Sequence, residues 1–288
     1  DTEVLVHAYE DFGEACVELF NGQWAFGLWD AREGKLVLSR DRLGVRPLYY
    51  SRSVRRFAFA SEIKALFALP ETARELDLRG LDQLFTFWSV VPPRTVCRDI
   101  LQVPPGHTLV VTRARSRLER HWESSYAPEE SVSEGEHAER LRDALVEATR
   151  IRLRADVPVG AYLSGGLDSA VVAAVVRQHT GARLRTFSVG FEDAAYDETG
   201  FQQQVVRHLG VEHAHLRCTE QELGTVFPRV VWHAESPTVR CAPAPMFWKS
   251  IMPWIWRMPA RPQARPWPCG EIWIPWPCCF RARPRRCA

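Results

Sequence analysis

The feature that most restricts the fold of this sequence is a glycine-rich turn between an apolar strand and an apolar helix. Residues 157–163 (VPVGAYL) predict the strand, residues 164–169 (SGGLDS) the turn, and residues 170–176 (AVVAAVV) the apolar part of the helix. Such a turn directs successive backbone N–H groups into one concavity, and the helix adds the positive end of its dipole. The arrangement predicts a binding site for an anion such as a nucleotide phosphate.

Three side chains of this loop indicate the kind of phosphate chemistry to expect. Ser164 and Ser169 supply hydroxyl donors, and Asp168 stands where a Walker A loop would carry a lysine for the β/γ-phosphates. A carboxylate lies beside phosphates only with a bridging cation, so Mg²⁺ is expected at Asp168. This pattern suits release of pyrophosphate from ATP rather than transfer of the γ-phosphate. The alternative is a turn that only connects a strand to a helix, with serine and aspartate as caps.

The rest of the second half predicts a parallel sheet of the α/β class. Helical patterns alternate with short apolar strands, and strands separated by helices of about 10–15 residues form right-handed βαβ units. In the first of these helices, Ala138, Leu141, Leu145 and Ala148 share one stripe. The predicted elements are helices at 137–154, 168–179, 198–209 and 220–234 and strands at 157–163, 184–191 and 212–216.

Residues 1–122 predict a mostly β domain with a few helices, of the α+β class. Short apolar strands at 24–29 and 35–39 flank a turn at 31–34, which predicts a β-hairpin. Residues 123–135 are polar, acidic and contain proline, which predicts an exposed linker. The other predicted elements are a helix that Asp1 caps and Gly13 ends, strands at 47–50, 57–60 and 108–112, and a short helix at 62–69.

Residues 249–288 differ in composition from the rest of the chain. They hold eight of the 20 prolines, five of the 11 tryptophans and eight of the 37 basic residues, with one acidic residue. Prolines at this spacing remove helix and strand donors. We expect this tail to be out-of-frame translation or disordered, and a Pro/Arg/Trp-rich interaction tail is the alternative. The predicted organisation is a first domain at 1–122, a linker at 123–135, a second domain at 136–248 and a tail at 249–288.

Charge and apolar patterning exclude several classes of partner. The chain has a net charge of +2, but the excess of basic residues lies in the tail and the body is mildly acidic, so no nucleic-acid surface is expected. No run of about 18 apolar residues and no signal-peptide pattern occurs, so no membrane partner is expected. The eight cysteines form no CxxC pair, which is typical of reduced thiols. These features predict a cytoplasmic protein.

Several stretches resemble the glutamine-dependent asparagine synthetases, whose synthetase domain carries SGGLDS as its ATP pyrophosphatase loop. The resemblance covers roughly residues 1–248, and few families combine these signatures. The strand at 188–191 is similar to the family's strand whose backbone receives the adenine. The similar stretches are 26–30 (FGLWD), 40–50 (RDRLGVRPLYY), 60–66 (ASEIKAL), 164–169 (SGGLDS), 188–191 (SVGF) and 197–198 (DE).

The resemblance implies an Ntn-type αββα glutaminase domain, here incomplete, followed by an adenine-nucleotide α-hydrolase-like synthetase domain with a parallel sheet, here truncated. It implies a ligase of amino-acid biosynthesis in which the β-carboxylate of aspartate attacks the α-phosphorus of ATP. Pyrophosphate leaves, and ammonia from glutamine converts the β-aspartyl-AMP to asparagine. The implied small molecules are aspartate, glutamine, ATP and Mg²⁺, and a homodimer is an expectation for full-length members.

The resemblance also implies roles for particular residues. Leu163 and Val189 would hold adenosine, the loop would hold the phosphates, and Asp168 would hold Mg²⁺ through the phosphates. Asp1 would pair with the α-amino group of glutamine. The implied ATP-binding residues are Leu163, Ser164, Gly165, Gly166, Leu167, Asp168, Ser169 and Val189.

The sequence departs from the family pattern at its two catalytic motifs. The family's nucleophile is an N-terminal cysteine, whereas this sequence begins with Asp1, and Cys16 lies mid-chain and is predicted to be a core residue. The family's Gly-Glu-Gly-x-Asp-Glu loop does not appear after residues 242–246. We therefore expect no glutaminase catalytic residue and little turnover in this chain. A non-catalytic ATP-binding protein and an adenylating amidotransferase for another carboxylate are the alternatives.

Overall fold

The computed structural model describes residues 2–54, 56–127, 131–179 and 183–235. The chain divides into two compact units, of which the second is Tyr126–Phe227. The first consists of the described residues up to Ser125 together with residues 228–235. Asp1 and the tail at 249–288, both subjects of predictions above, lie outside the described residues.

The first unit contains two antiparallel sheets. One has four strands in the order β1-β2-β6-β7, and the other has three in the order β4-β3-β5. Buried Leu38, Leu48, Val103 and Leu109 form a core cluster between strands and loops of this unit. The elements are α1 (Thr2–Phe12), β1 (Ala25–Asp30), β2 (Lys35–Arg40), β3 (Tyr49–Arg52), β4 (Phe57–Ala60), α2 (Ile63–Leu66), α3 (Leu78–Phe87), β5 (Ile100–Gln102), β6 (His107–Val111) and β7 (Ser116–Arg120).

The predicted hairpin is confirmed as the pair β1 and β2. Asp30 begins its turn, and its Oδ1 accepts hydrogen bonds from the amides of Arg32 (2.9 Å) and Glu33 (3.1 Å). Gly34 ends the turn with φ of 63°, a left-handed backbone that glycine adopts without steric cost. The strands predicted at 47–50 and 57–60 are also found, and they pair with each other as β3 and β4. Helix α3 and strands β5 and β7 were not predicted.

The loop after β2 is built on two buried charged residues. The side chain of Asp41 accepts hydrogen bonds from the amides of Leu43, Val45 and Arg46, at 3.2, 2.9 and 2.9 Å. Arg40 is 8% exposed, and its guanidinium donates to four oxygens at 2.8–2.9 Å. These acceptors are the carbonyls of Gly44, Arg46 and Val103 and the side-chain oxygen of Gln102. The first residues of the RDRLGVRPLYY stretch therefore determine the path of the loop.

A second buried carboxylate, that of Glu235, belongs to the first unit although it lies far along the chain. It is 4% exposed, and it accepts hydrogen bonds from the amides of Ile63 (2.5 Å) and Lys64 (2.8 Å). The ammonium of Lys64 lies 3.1 Å from it. Glu235 therefore holds the first turn of α2 by three contacts.

Helix α3 begins at Asp77, whose side chain is an N-cap. Its Oδ1 accepts from the amides of Arg79 (2.9 Å) and Gly80 (3.1 Å), and its Oδ2 accepts from the guanidinium of Arg94. Partial burial alone would raise the pKa of Asp77, but these hydrogen bonds and the charge of Arg94 outweigh it and lower the pKa from its usual value. The carboxylate form is therefore favoured by folding.

We expect Asp77→Ala to lower the free energy of unfolding at neutral pH by about 1–2 kcal/mol, since a helix loses its cap. Because folding lowers this pKa, the stabilisation is present above the unfolded pKa of about 3.9 and is lost as the pH falls through the lower folded value. Denaturant unfolding at pH 7 and pH 3 should show the difference between wild type and variant shrinking in acid. Asp82→Ala, at an exposed position on the same helix, is the control. A difference independent of pH would contradict this role.

The second unit confirms the predicted parallel sheet. Its three strands lie in the order β10-β9-β8, and both pairs are parallel. Buried Leu163, Ala173, Val176, Leu184 and Leu209 form its core. The elements are α4 (Glu134–Arg152), β8 (Gly160–Tyr162), α5 (Leu167–His179), β9 (Arg185–Phe191), α6 (Thr199–Leu209), β10 (Glu212–Cys218) and the start of α7 (Glu220–Ala234). The residues of α7 from Pro228 onward are counted with the first unit.

Two predictions for this unit need correction. The strand predicted at 157–163 is only three residues long, and Pro158 supplies no N–H for a ladder. The apolar stripe predicted on the first helix is not buried, because none of the described residues of α4 is buried and Leu141 is 61% exposed.

Candidate functional site

The SGGLDS loop lies at the carboxyl end of the parallel sheet, between β8 and α5. Leu163, at its start, is 2% exposed and packs in the core of the second unit. Its amide donates to the carbonyl of Phe187 (2.8 Å), and its carbonyl accepts from the hydroxyl of Ser188 (2.5 Å). Ligands of open α/β sheets bind at this edge. Leu163 therefore anchors the loop to β9, and its side chain is directed into the protein.

Three successive amides of the loop point at oxygen atoms. The amide of Ser164 donates to the hydroxyl of Ser169 (3.1 Å), and that of Gly166 donates to the hydroxyl of Ser164 (3.2 Å). The two hydroxyls lie 2.8 Å apart. The amide of Gly165 donates to the carboxylate of Glu198 at 2.8 Å. The structure therefore brings the predicted serines and glycines together, and each of the three amides has an oxygen acceptor.

The glycines of the loop are needed for a reason other than the predicted tight turn. Neither Gly165 nor Gly166 has a left-handed backbone. At Gly165 an added Cβ would lie 2.7 Å from the Cβ of Glu198, and at Gly166 it would lie 3.3 Å from the hydroxyl of Ser164. The absence of a side chain at Gly165 therefore permits close approach of an oxyanion to the loop.

Leu167 and Asp168 form the first turn of α5, and both are exposed. Asp168 supplies a single carboxylate as a possible metal ligand. The described residues contain no group of three or more His, Cys, Asp or Glu side chains placed to hold a metal ion. Mg²⁺ commonly binds through one or two carboxylates and the phosphates of a substrate. The donor set fits a cation held by Asp168 and phosphates rather than by a protein cage.

The junction between β9 and α6 holds Glu198 beside the loop. Asp197 Oδ1 accepts from the amides of Phe191 and Thr199 (3.3 Å each) and from the hydroxyl of Thr199 (2.5 Å). The hydrogen bond from that hydroxyl is the main cause that lowers the pKa of Asp197. The hydroxyl also lies 3.2 Å from Nε2 of His215 on β10. Sequence reasoning gave Asp197 and Glu198 no role, although an acidic pair after an apolar strand was visible.

Val189 lies on β9 near the same edge of the sheet. It is 42% exposed, and its carbonyl accepts from Nε2 of buried Gln202 at 3.2 Å. The register pairs Val189 with Leu216 of β10 but with no residue of β8, since β8 ends at Tyr162. Among the described residues, β9 therefore has no strand partner on one edge at the position predicted to hold adenosine.

Cys16 is not placed to act as a nucleophile. It is 2% exposed and packs with Val17 and Phe26. Burial raises the pKa of its thiol, which disfavours the reactive thiolate. The prediction that Cys16 is a core residue is confirmed.

Among the described helices, none combines the length and apolar character needed to cross a bilayer.

Comparison with known proteins finds two family matches along the chain. Residues 1–122 match the glutamine amidotransferase domain, and residues 140–252 match asparagine synthase. The second match contains the loop, Val189 and Glu198 described above. The two matches follow the order that the sequence motifs predicted.

Curated relatives agree with these matches. A Methanocaldococcus jannaschii protein assigned as asparagine synthetase (glutamine-hydrolyzing) 2 is 33% identical over 247 residues, covering 82% of this chain and 47% of its own length. Asparagine synthetase (glutamine-hydrolyzing) 1 of Bacillus subtilis is 30% identical, covering 86% of this chain and 39% of its own. Amidase chyE of Penicillium rubens is 34% identical, covering 82% and 37%.

This chain spans less than half the length of each of these relatives. The resemblance inferred from the motifs is confirmed by the matched domains, their order and the relatives. The chain belongs to the glutamine-dependent asparagine synthetase family.

Proposed function

We propose that the protein carrying this chain amidates aspartate to asparagine with ammonia from glutamine, at the expense of ATP. The observation that carries the proposal is the convergence of the Ser164, Gly165 and Gly166 amides on oxygen atoms at the start of α5. Backbone amides at a helix start suit phosphate oxygens, and the loop has no lysine for γ-phosphate transfer. The family membership supports aspartate and glutamine as the other substrates.

In this proposal the β-carboxylate of aspartate attacks the α-phosphorus of ATP, and the bond from that phosphorus to the pyrophosphate oxygen breaks. The amides of the loop and the hydroxyls of Ser164 and Ser169 bind the phosphate oxygens and stabilise the charge that develops on pyrophosphate. Mg²⁺, held by Asp168 and the phosphates, would neutralise part of that charge. Leu167 is the first residue of α5, next to Asp168 in the same turn. Ammonia then attacks the carbonyl of β-aspartyl-AMP, and AMP leaves.

The proposed adenosine site lies on β9. Val189 is half-buried, and no strand in the described part of the chain covers β9 on that edge, which supports a role in receiving the nucleoside. The buried side chain of Leu163 does not reach the proposed site. Leu163 contributes to the site by the two hydrogen bonds that attach the start of the loop to β9.

The proposed role of the first unit is to release ammonia from glutamine. Its match to a glutamine amidotransferase domain and its two antiparallel sheets support an Ntn-type αββα fold. We propose that Asp1 pairs with the α-amino group of glutamine. The free thiols of Cys16, Cys97 and Cys218 support a cytoplasmic protein.

A second candidate keeps the adenylation step and changes the carboxylate. The observation that favours it is the similarity to amidase chyE, which matches this chain at 34% identity. Pyrophosphate release by the protein that carries this chain, measured with ATP and ammonia, first with aspartate and then with a panel of other carboxylic acids, distinguishes the two. Release only with an acid other than aspartate would replace the first proposal, and ATP binding without release would favour a non-catalytic protein.

Gly165→Val tests the nucleotide site. The new Cβ meets Glu198 and occupies the space that a phosphate oxygen needs. We expect ATP affinity to fall by about 10- to 100-fold, because a hydrogen bond to a charged group contributes about 1.5–3 kcal/mol. Calorimetric titration with ATP and Mg²⁺ measures the change, and circular dichroism checks folding. Gly135→Val, where nothing lies within 4 Å, is the control. Equal ATP affinity in wild type and Gly165→Val would contradict the assignment.

A further inference from the structure

The three amides of the loop do not have equivalent acceptors. The amides of Ser164 and Gly166 donate to hydroxyls of the loop itself. The amide of Gly165 donates to Glu198, which lies 33 residues further along the chain. Hydroxyls can turn and donate to an arriving phosphate, because their hydrogen rotates freely. A carboxylate is only an acceptor, so Glu198 must leave the amide before a phosphate oxygen can bind there.

The position of Glu198 is set by its neighbours. Asp197 ties the end of β9 to the start of α6 through Phe191 and Thr199, and the carbonyl of Glu198 accepts from the amide of Gln202 at 3.1 Å. The backbone of Glu198 is thus held on both sides. Its side chain packs on Gly165, because a Cβ at that residue would lie only 2.7 Å from the Cβ of Glu198. The contact therefore follows from the fold of the β9–α6 junction.

We propose that the carboxylate of Glu198 occupies the phosphate-binding amide of Gly165 in the nucleotide-free protein and is displaced when a polyphosphate binds. This inference rests on the proposed nucleotide function of the loop. Carboxylate and phosphate oxygens are both anionic acceptors of an amide N–H, so they compete for one donor. While Glu198 accepts this hydrogen bond, the Gly165 amide is not accessible to another anion. Anions that cannot displace the carboxylate therefore bind the loop with lower affinity.

The first test uses the full chain without nucleotide. The amide proton of Gly165, observed by ¹H–¹⁵N NMR with selective glycine labelling, is expected to resonate downfield because it donates to a carboxylate. Glu198→Ala should move it upfield, whereas Glu192→Ala, at an exposed acid on the same β9–α6 connection, should leave it unchanged. An unchanged Gly165 resonance in Glu198→Ala would overturn the inference, whatever the protein does with ATP.

The second test measures inorganic pyrophosphate binding by calorimetric titration in the presence of Mg²⁺. Glu198→Ala is expected to bind about tenfold more tightly than wild type, since a charge-assisted hydrogen bond no longer has to be broken. Glu198→Asp keeps the charge but is one methylene shorter, so it should also bind more tightly. Glu192→Ala should bind within about twofold of wild type by the weak effect of an exposed charge.

Three results of the titration contradict the inference. Wild-type affinity in Glu198→Asp would mean that the charge alone matters, and weaker binding by Glu198→Ala would mean that Glu198 assists the ligand. Unchanged affinity in Glu198→Ala would mean that no competition occurs. If neither wild type nor any variant binds pyrophosphate or ATP, the proposed function is refuted. The Gly165 resonance still reports whether the contact with Glu198 exists.

Discussion

Replacing Glu235 with alanine is expected to destabilise the first unit by about 3–5 kcal/mol, the usual cost of removing one partner of a buried ion pair. The amides of Ile63 and Lys64 would lose their acceptor, and the ammonium of Lys64, 17% exposed, would lose its buried partner. Burial, and then the charge of Glu235, raise the pKa of Cys97 to about 12. Because the charge of Glu235 affects the pKa of buried Cys97, the Glu235 carboxylate lies close to the core of this unit.

Glu62 provides a matched control for this experiment. Its carboxylate lies 3.0 Å from the same Lys64 ammonium, but the Glu62 side chain is 56% exposed. Glu62→Ala should therefore change stability by only about 0–1 kcal/mol. Differential scanning calorimetry, which can separate the unfolding of two units, measures both variants. Equal effects of Glu62→Ala and Glu235→Ala would show that burial of the pair contributes nothing.

Arg40→Ala is expected to lower the free energy of unfolding of the first unit by about 2–4 kcal/mol. The substitution leaves the carbonyls of Gly44, Arg46 and Val103 without their donor. The carbonyl of Val103 is buried, and a buried acceptor that loses its partner incurs the full cost of its desolvation. Burial lowers the pKa of this guanidinium, yet arginine stays charged at neutral pH, so the hydrogen bonds are charge-assisted.

Arg46→Ala is the control for Arg40→Ala. Arg46 is exposed in the same loop, and its backbone carbonyl remains when the side chain is removed. Arg40→Lys should recover less than half of the lost stability, since an ammonium cannot reach four acceptors in a planar fork. Urea unfolding followed by circular dichroism measures all three variants. Full recovery by lysine would contradict the role given to the guanidinium geometry.

Elements with local signals could be predicted from the sequence. The hairpin of β1 and β2 combines alternating apolar strands with a turn that contains Gly34, and the βαβ alternation indicated the parallel sheet. Helix α3 was missed although Leu78, Leu81 and Leu84 recur at helical spacing, and Gly80 lowers the helix propensity of this stretch. Asp77 before it was an N-cap signal that could have found it.

The candidate site could be predicted only where it is continuous in sequence. Residues 164–169 form one stretch, so their grouping needed no tertiary information. Glu198 contacts Gly165 because the βαβ crossover places the start of α6 beside the loop. No local sequence pattern indicates a contact between residues that are 33 positions apart. The contact of Glu235 with Lys64 depends on the packing of the whole first unit, because the two residues are 171 positions apart.

That sequence separation affects how the protein is made. Synthesis proceeds from the N terminus, and ribosomes add about 5–20 residues per second, so Glu235 is added roughly 10–30 s after Lys64. Throughout that interval the amides of Ile63 and Lys64 lack their carboxylate, and all of residues 126–227 emerge before it arrives. The first unit to be translated is therefore the last to gain all its native contacts. A chain that stalls on the ribosome before Glu235 is therefore expected to carry a first unit whose helix α2 lacks its carboxylate acceptor.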